Sequence, residues 1–108
     1  MKRFDYYQPQ TLKEAFSQME KLKGRAQYIA GGTDILVRIK QRAIQPEALV
    51  SLRGVSTLSH ISHNGGSSLG SMTPMRSVER DPVIAREYPA LAKAVSLLAN
   101  PQVRNVAT

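Results

Sequence analysis

Ala30-Gly31-Gly32-Thr33-Asp34 is the stretch whose reading decides the fold. Before it, Gln27-Tyr28-Ile29 reads as the end of a short buried strand over residues 26–29. After it, Ile35, Leu36, Ile39 and Ala43 recur at helical spacing beside Arg38, Lys40 and Arg42. Glycines between a strand and a helix let the backbone turn and approach a ligand closely. The first N–H groups of the helix have no partner within it and point outward as anion donors. Thr33 or Asp34 is placed to cap that helix. The pattern predicts a seat for a phosphate or pyrophosphate. A plain tight connection is the alternative.

Working outward, Phe4-Asp5-Tyr6-Tyr7 reads as a first strand ended by Pro9. Thr11-Leu12-Lys13-Glu14 is a capping box, and Leu12, Ala15, Phe16, Met19 and Leu22 form one apolar helical face. That face is expected to pack into the core, and Gly24 to end the helix. The second helix is expected to run to about Ala43, before Gln45-Pro46-Glu47 breaks it. Ala48-Leu49-Val50-Ser51-Leu52 suits a strand buried on both faces. Strand, helix, strand, helix, strand in this order predicts a small parallel sheet, with ligands beyond the carboxyl ends of its strands.

The character changes near residues 53–57, where a subdomain seam is expected, giving units 1–54 and 55–108. Two alternating runs, 58–63 and 67–72, flank Asn64-Gly65-Gly66 and predict an antiparallel hairpin. His60 and His63 read as exposed hairpin residues, since a metal pair there has no third ligand nearby. Asp81-Pro82 opens a short helix, and Pro89 opens a second with Leu91, Ala94, Val95 and Leu98 inward, closed by Asn100-Pro101. The fold class is therefore α/β, α+β overall: a parallel β-α-β-α-β subdomain, then the start of a mainly antiparallel one with two helices. The apolar, strand-like run 102–108 stops without a tail, which reads as a fragment.

Fifteen Lys+Arg against eight Asp+Glu give a net charge of +7 over 108 residues. The cations are dispersed and aromatic stacking residues are scarce, which argues against nucleic acid as the main partner. There is no cysteine, so disulfides, thiolate metal sites and a cysteine nucleophile are excluded. Neither a signal peptide nor a membrane-spanning run is visible, and the chain reads as cytoplasmic.

Several motifs occur in a fixed order: Phe4-x-Tyr6 before Pro9, Thr11-Leu12-x-Glu14-Ala15, Ala30 to Asp34, and Leu69-Gly70-Ser71-Met72-Thr73. Glu79-Arg80-Asp81-Pro82, Tyr88-Pro89-Ala90-Leu91 and Pro101-Gln102-Val103-Arg104-Asn105 follow. Together they resemble the N-terminal part of the FAD-binding subunit of molybdenum-containing hydroxylases. That family includes the flavin subunit of xanthine dehydrogenase, the medium subunit of carbon monoxide dehydrogenase and the β subunit of hydroxybenzoyl-CoA reductase.

The resemblance implies FAD as cofactor, with the glycine loop around its pyrophosphate. Carried over, the contacts fall on Ile29, Ala30, Gly31, Gly32, Thr33, Asp34, Ile35 and Leu36. Asp34 is expected to serve the cap or orient the loop, because an anion beside a pyrophosphate is unfavourable. Thr73 matches a threonine near the cofactor, or else it satisfies the backbone after a strand. No catalytic acid or base and no metal ligand is implied here. The resemblance places the molybdenum cofactor and iron–sulfur clusters on partner subunits, and electrons would cross those clusters to FAD and on to an acceptor such as NAD. The fragment alone is expected to be inactive, with self-association through unfinished sheet edges open to it. Two other readings stay open. One is a non-redox nucleotide- or RNA-binding module using the Gly31-Gly32 turn and the basic surface. The other is an interaction fragment that binds nothing alone.

Overall fold

A computed structural model describes residues 3–108. The chain divides into two units, the first ending at Ser56 and the second spanning Thr57–Thr108.

In the first unit, β1 (Asp5–Tyr7), β2 (Ala26–Ile29) and β3 (Ala48–Ser51) form a parallel sheet in the order β1-β3-β2. Strand β3 lies between the other two, and all four of its residues are buried. Its alternation divides the core between two helices, α1 (Leu12–Leu22) and α2 (Ile35–Lys40). Ala48 and Val50 pack with Ala15 of α1 and with Ala26, while Leu49 packs with Ile39 of α2 and with Ile29. Parallel sheets need this cover on both faces. The β-α-β-α-β order expected from the sequence is the order observed.

Local chemistry sets the ends of α1. Thr11 Oγ1 accepts from Glu14 N–H at 3.1 Å, while Glu14 Oε2 accepts from Gln10 N–H at 3.0 Å. The glutamate thus reaches back one residue beyond the usual capping box. The expected apolar face is only partly used. Ala15 is buried with Met19 and Leu22 against it, but Phe16 is 59% exposed and Leu12 36%. Helix α2 ends at Lys40 rather than near Ala43, because Arg42 adopts φ +60° and the Ala43 N–H turns back to Arg38 O.

In the second unit, β4 (Ile61–His63) and β5 (Ser67–Leu69) form the expected antiparallel hairpin around Asn64-Gly65-Gly66. Four helices follow rather than two: α3 (Met75–Arg80), α4 (Pro82–Glu87), α5 (Pro89–Ser96) and α6 (Pro101–Arg104). Asp81 caps α4 as expected, its Oδ1 accepting from the N–H groups of Val83 and Ile84 at 2.9 and 3.0 Å. Asn100-Pro101 opens α6 instead of closing α5: Asn100 Oδ1 accepts from Val103 N–H at 2.9 Å, and Pro101 sits where a helix wants fixed φ. The run over 102–108 is therefore helix and turn, not strand. Val78, Ile84 and Val95 form the core of this unit, with Ile61, Met75 and Ala92 against it. Leu91 and Leu98, expected inward, are 38% and 41% exposed.

Candidate functional site

Because the sheet is parallel, its three carboxyl ends share one edge. Gln8-Pro9 follow β1, Ala30 to Asp34 follow β2, and Leu52 to Gly54 follow β3. The loops are tied together there. Leu52 N–H donates to Ile29 O at 3.0 Å, and Ser51 Oγ, in a residue 1% exposed, accepts from Arg53 N–H at 3.2 Å. Any Cβ at Gly54 would stand 2.6 Å from Pro9 O, so the loops after β1 and β3 touch.

The glycine turn lies open at this edge. Ala30, Gly31 and Gly32 are half-buried, and Thr33 and Asp34 are exposed. Gly32 adopts φ +82°, where an added Cβ would meet Leu36 Cδ1 at 3.1 Å and Ile29 Cδ1 at 3.5 Å. Among the described residues, the N–H groups of Gly31, Gly32, Thr33, Asp34 and Ile35 donate to no protein group. The next N–H, that of Leu36, turns inward to Gly32 O at 3.2 Å. Unpaired donors at a left-handed bend beside a helix start are the kind of group that binds an anion.

The expected side-chain cap is not made. Asp34 holds the N-cap position of α2 without a side-chain hydrogen bond, because φ −103° and ψ −53° place it in the helical region instead of the extended one a cap needs. Its carboxylate lies 3.9 Å from Arg38 Nη1, with both side chains largely exposed. Ile35 packs against the buried Ile29, Ile39 and Leu49, and Leu36 lies 40% exposed over the bend. The structure thus gathers Ile29 to Leu36 into one local element. A surface cleft of about 640 Å³ along the loop after β1 and one side of α1 includes none of these residues.

Thr73 belongs to the second unit and is 4% exposed. Its Oγ1 donates to His60 O at 2.9 Å and accepts from His60 N–H at 3.1 Å. Its own N–H donates to Gly70 O at 3.0 Å. These bonds lock the Gly70-Ser71-Met72-Thr73 turn onto the start of the hairpin.

Two ionic clusters in this unit escaped sequence reasoning, although Glu79, Asp81 and Arg104 lie inside the quoted motifs. Glu79 Oε2 accepts from Arg76 Nη1 and from Arg104 Nε, each at 2.9 Å. Arg76 and then the charge of Arg104 hold the Glu79 carboxyl below its ordinary range, against the opposing effect of burial. His63 Nε2 lies 3.0 Å from Asp81 Oδ1, while His63 Nδ1 lies 2.7 Å from Ser67 Oγ. The Ile84 N–H and then His63 hold the Asp81 carboxyl low, again against burial. Only the three-dimensional approach of α3 to α6, and of the hairpin to the α4 cap, reveals these partners.

Comparison with known proteins gives a family over almost the whole chain: the description "FAD binding domain in molybdopterin dehydrogenase" matches residues 2–108. The carbon monoxide dehydrogenase medium chain of Hydrogenophaga pseudoflava is 35% identical over 107 residues, covering 98% of this chain and 37% of the relative. The nicotinate dehydrogenase FAD-subunit of Eubacterium barkeri is 31% identical over 110 residues, covering 100% of this chain and 37% of the relative. Among solved structures, carbon monoxide dehydrogenase from Hydrogenophaga pseudoflava lacking the Mo-pyranopterin moiety of its molybdenum cofactor superposes with a TM-score of 0.95 at 34% identity. That match covers 99% of this chain and 38% of the other. The chain therefore spans a little over a third of the length of these relatives.

Proposed function

Since the chain belongs to the family of FAD binding domains in molybdopterin dehydrogenases, we propose that its glycine turn holds the pyrophosphate of FAD. The observation that carries this is the set of unpaired N–H groups from Gly31 to Ile35, with Gly32 at a positive φ that strains any side chain and a Leu36 contact that crowds one. These groups fit a diphosphate because they are fixed donors that need not reorganise. Ile29 and Ile35 anchor the turn from below, Ala30 and Leu36 flank it, and Thr33 offers a hydroxyl at its exposed rim. Asp34 takes no phosphate. Its carboxylate is turned toward Arg38, which offsets an anion that would otherwise oppose binding.

Thr73 contributes in this reading by holding its turn, since its hydroxyl proton and its N–H are both already committed. Residues 1–54 act as the pyrophosphate-binding subdomain, and residues 55–108 as the first part of a second FAD-binding subdomain. When bound, FAD supplies the redox chemistry, carrying electrons from iron–sulfur clusters to an acceptor such as NAD. A molybdenum-cofactor subunit and an iron–sulfur subunit complete the enzyme, so this chain alone does not carry out the dehydrogenase reaction. Among the described residues no helix is long and apolar enough to cross a membrane. We place the complex in the cytoplasm.

The test is titration with FAD, ADP and a short RNA, followed by flavin fluorescence and salt dependence. Saturable FAD binding that ADP displaces supports the reading. Steeply salt-dependent RNA binding with no response to FAD overturns it in favour of a nucleic-acid module.

A further inference from the structure

Ser67, His63 and Asp81 form a hydrogen-bonded row in the second unit, apart in sequence from the glycine turn. An ionised carboxylate only accepts, so His63 donates from Nε2 to Asp81, at 3.0 Å to Oδ1 and 3.2 Å to Oδ2. In the neutral tautomer with its proton on Nε2, Nδ1 accepts the hydroxyl proton of Ser67 across 2.7 Å. Asp81 is itself held in place by the N–H groups of Val83 and Ile84 at the start of α4. This is the arrangement of a hydroxyl beside a base that a third group orients.

Ser67, His63 and the Gly65-Gly66 turn line a cavity of about 290 Å³, walled on the other side by Val83 and Tyr88. Among the described residues, the N–H groups of Gly65 and Gly66 donate to no protein group and are free to face an oxyanion. Glu87 also borders the cavity and is paired with Arg86 at 3.2 Å. The space is open to solvent and large enough for a small ester.

We propose that Ser67 is an activated nucleophile that accepts acyl groups from small activated esters, with His63 as its base and Asp81 orienting the imidazole. Ser67 Oγ bonds to the ester carbonyl carbon as its proton passes to His63 Nδ1. The ester C–O bond breaks, and the leaving oxygen takes that proton and departs as the alcohol. Water then attacks the acyl carbon, giving a proton to Nδ1. The Oγ–carbon bond breaks, the acid leaves and Ser67 regains its proton, so the sum is ester plus water to acid plus alcohol.

Incubating the intact chain with p-nitrophenyl acetate and mapping acetyl groups by mass spectrometry tests this. Ser67 is expected to acetylate about 100-fold faster than the exposed Ser62 of the same hairpin, the scale of general-base assistance. His63→Ala and Asp81→Asn are expected to remove that excess. The comparison of two serines within the unaltered chain does not depend on either variant folding. Equal rates at Ser67 and Ser62, an acetyl group that settles on His63 instead, or a Ser67 excess that survives His63→Ala in a folded variant would overturn the proposal.

Discussion

Arg104 Nε donates to Glu79 Oε2 at 2.9 Å, from a side chain that is 9% exposed. The same guanidinium donates through Nη1 to Leu98 O at 2.7 Å, and so fixes α6 to both α3 and the end of α5. A buried arginine is tolerated only when its donors are used in this way. Arg104→Met keeps most of the apolar stem and strands the Leu98 carbonyl. Hydrogen bonds of this charged kind contribute about 1.5–3 kcal/mol, so the thermal midpoint should fall by roughly 10 °C. Circular dichroism melting of the full chain reads this, and an unchanged midpoint would mean the pair is ornamental.

Acid should loosen the second unit. Hydrogen bonding by Arg76, then the charge of Arg104, depresses Glu79, while the Ile84 N–H and then His63 depress Asp81. A carboxyl group with a depressed folded pKa adds stability above its unfolded pKa and loses it as pH falls through the folded value. Stability from these two groups is therefore fully present at neutral pH and declines below about pH 4. Urea midpoints measured from pH 7 to pH 3 should show that decline, and Glu79→Gln should make it shallower. A Glu79→Gln curve parallel to the parent's would remove Glu79 from the explanation.

Thr73→Val keeps the shape of a side chain that is 4% exposed but leaves His60 N–H without its acceptor, while His60 O keeps only the Gly70 N–H. Stranding buried polar groups costs about 1–3 kcal/mol. Thr73→Ser should restore most of the loss, and FAD affinity along with it, since the hydroxyl serves the turn. Denaturant midpoints and FAD titrations of both variants decide this. A serine variant as stable as the parent yet unable to bind FAD would show that the threonine methyl meets the cofactor.

The parallel unit was largely legible because its signals are local. Strand, glycine bend and helix start each leave a mark within a few residues, and Thr11 and Asp81 carry their capping chemistry in their identity. What was missed lacks such marks. Helix α3 starts at Pro74 with no side-chain cap, so nothing polar announces it. Asn100-Pro101 is ambiguous from sequence, since asparagine followed by proline can stop one helix or start another. Phe16 shares its spacing with core residues, yet only the placement of α1 over β3 shows that Ala15 takes the buried seat. At the candidate site, residue types suggested anion donors, but that the N–H groups stay unpaired is a property of the folded backbone.

The central claim, that a left-handed bend at Gly32 holds the FAD pyrophosphate, is tested most directly by two alanine substitutions compared side by side. Gly32 and Gly24 both adopt positive φ, +82° and +79°, so alanine is strained at each. They differ in surroundings: a Cβ at Gly32 meets Leu36 at 3.1 Å, whereas one at Gly24 has nothing within 4 Å. FAD dissociation constants of the two variants, measured by fluorescence titration, should differ at least about tenfold, with Gly32→Ala the weaker, a gap of about 1.4 kcal/mol. Equal affinities in the two variants would contradict the assignment of the pyrophosphate to this bend.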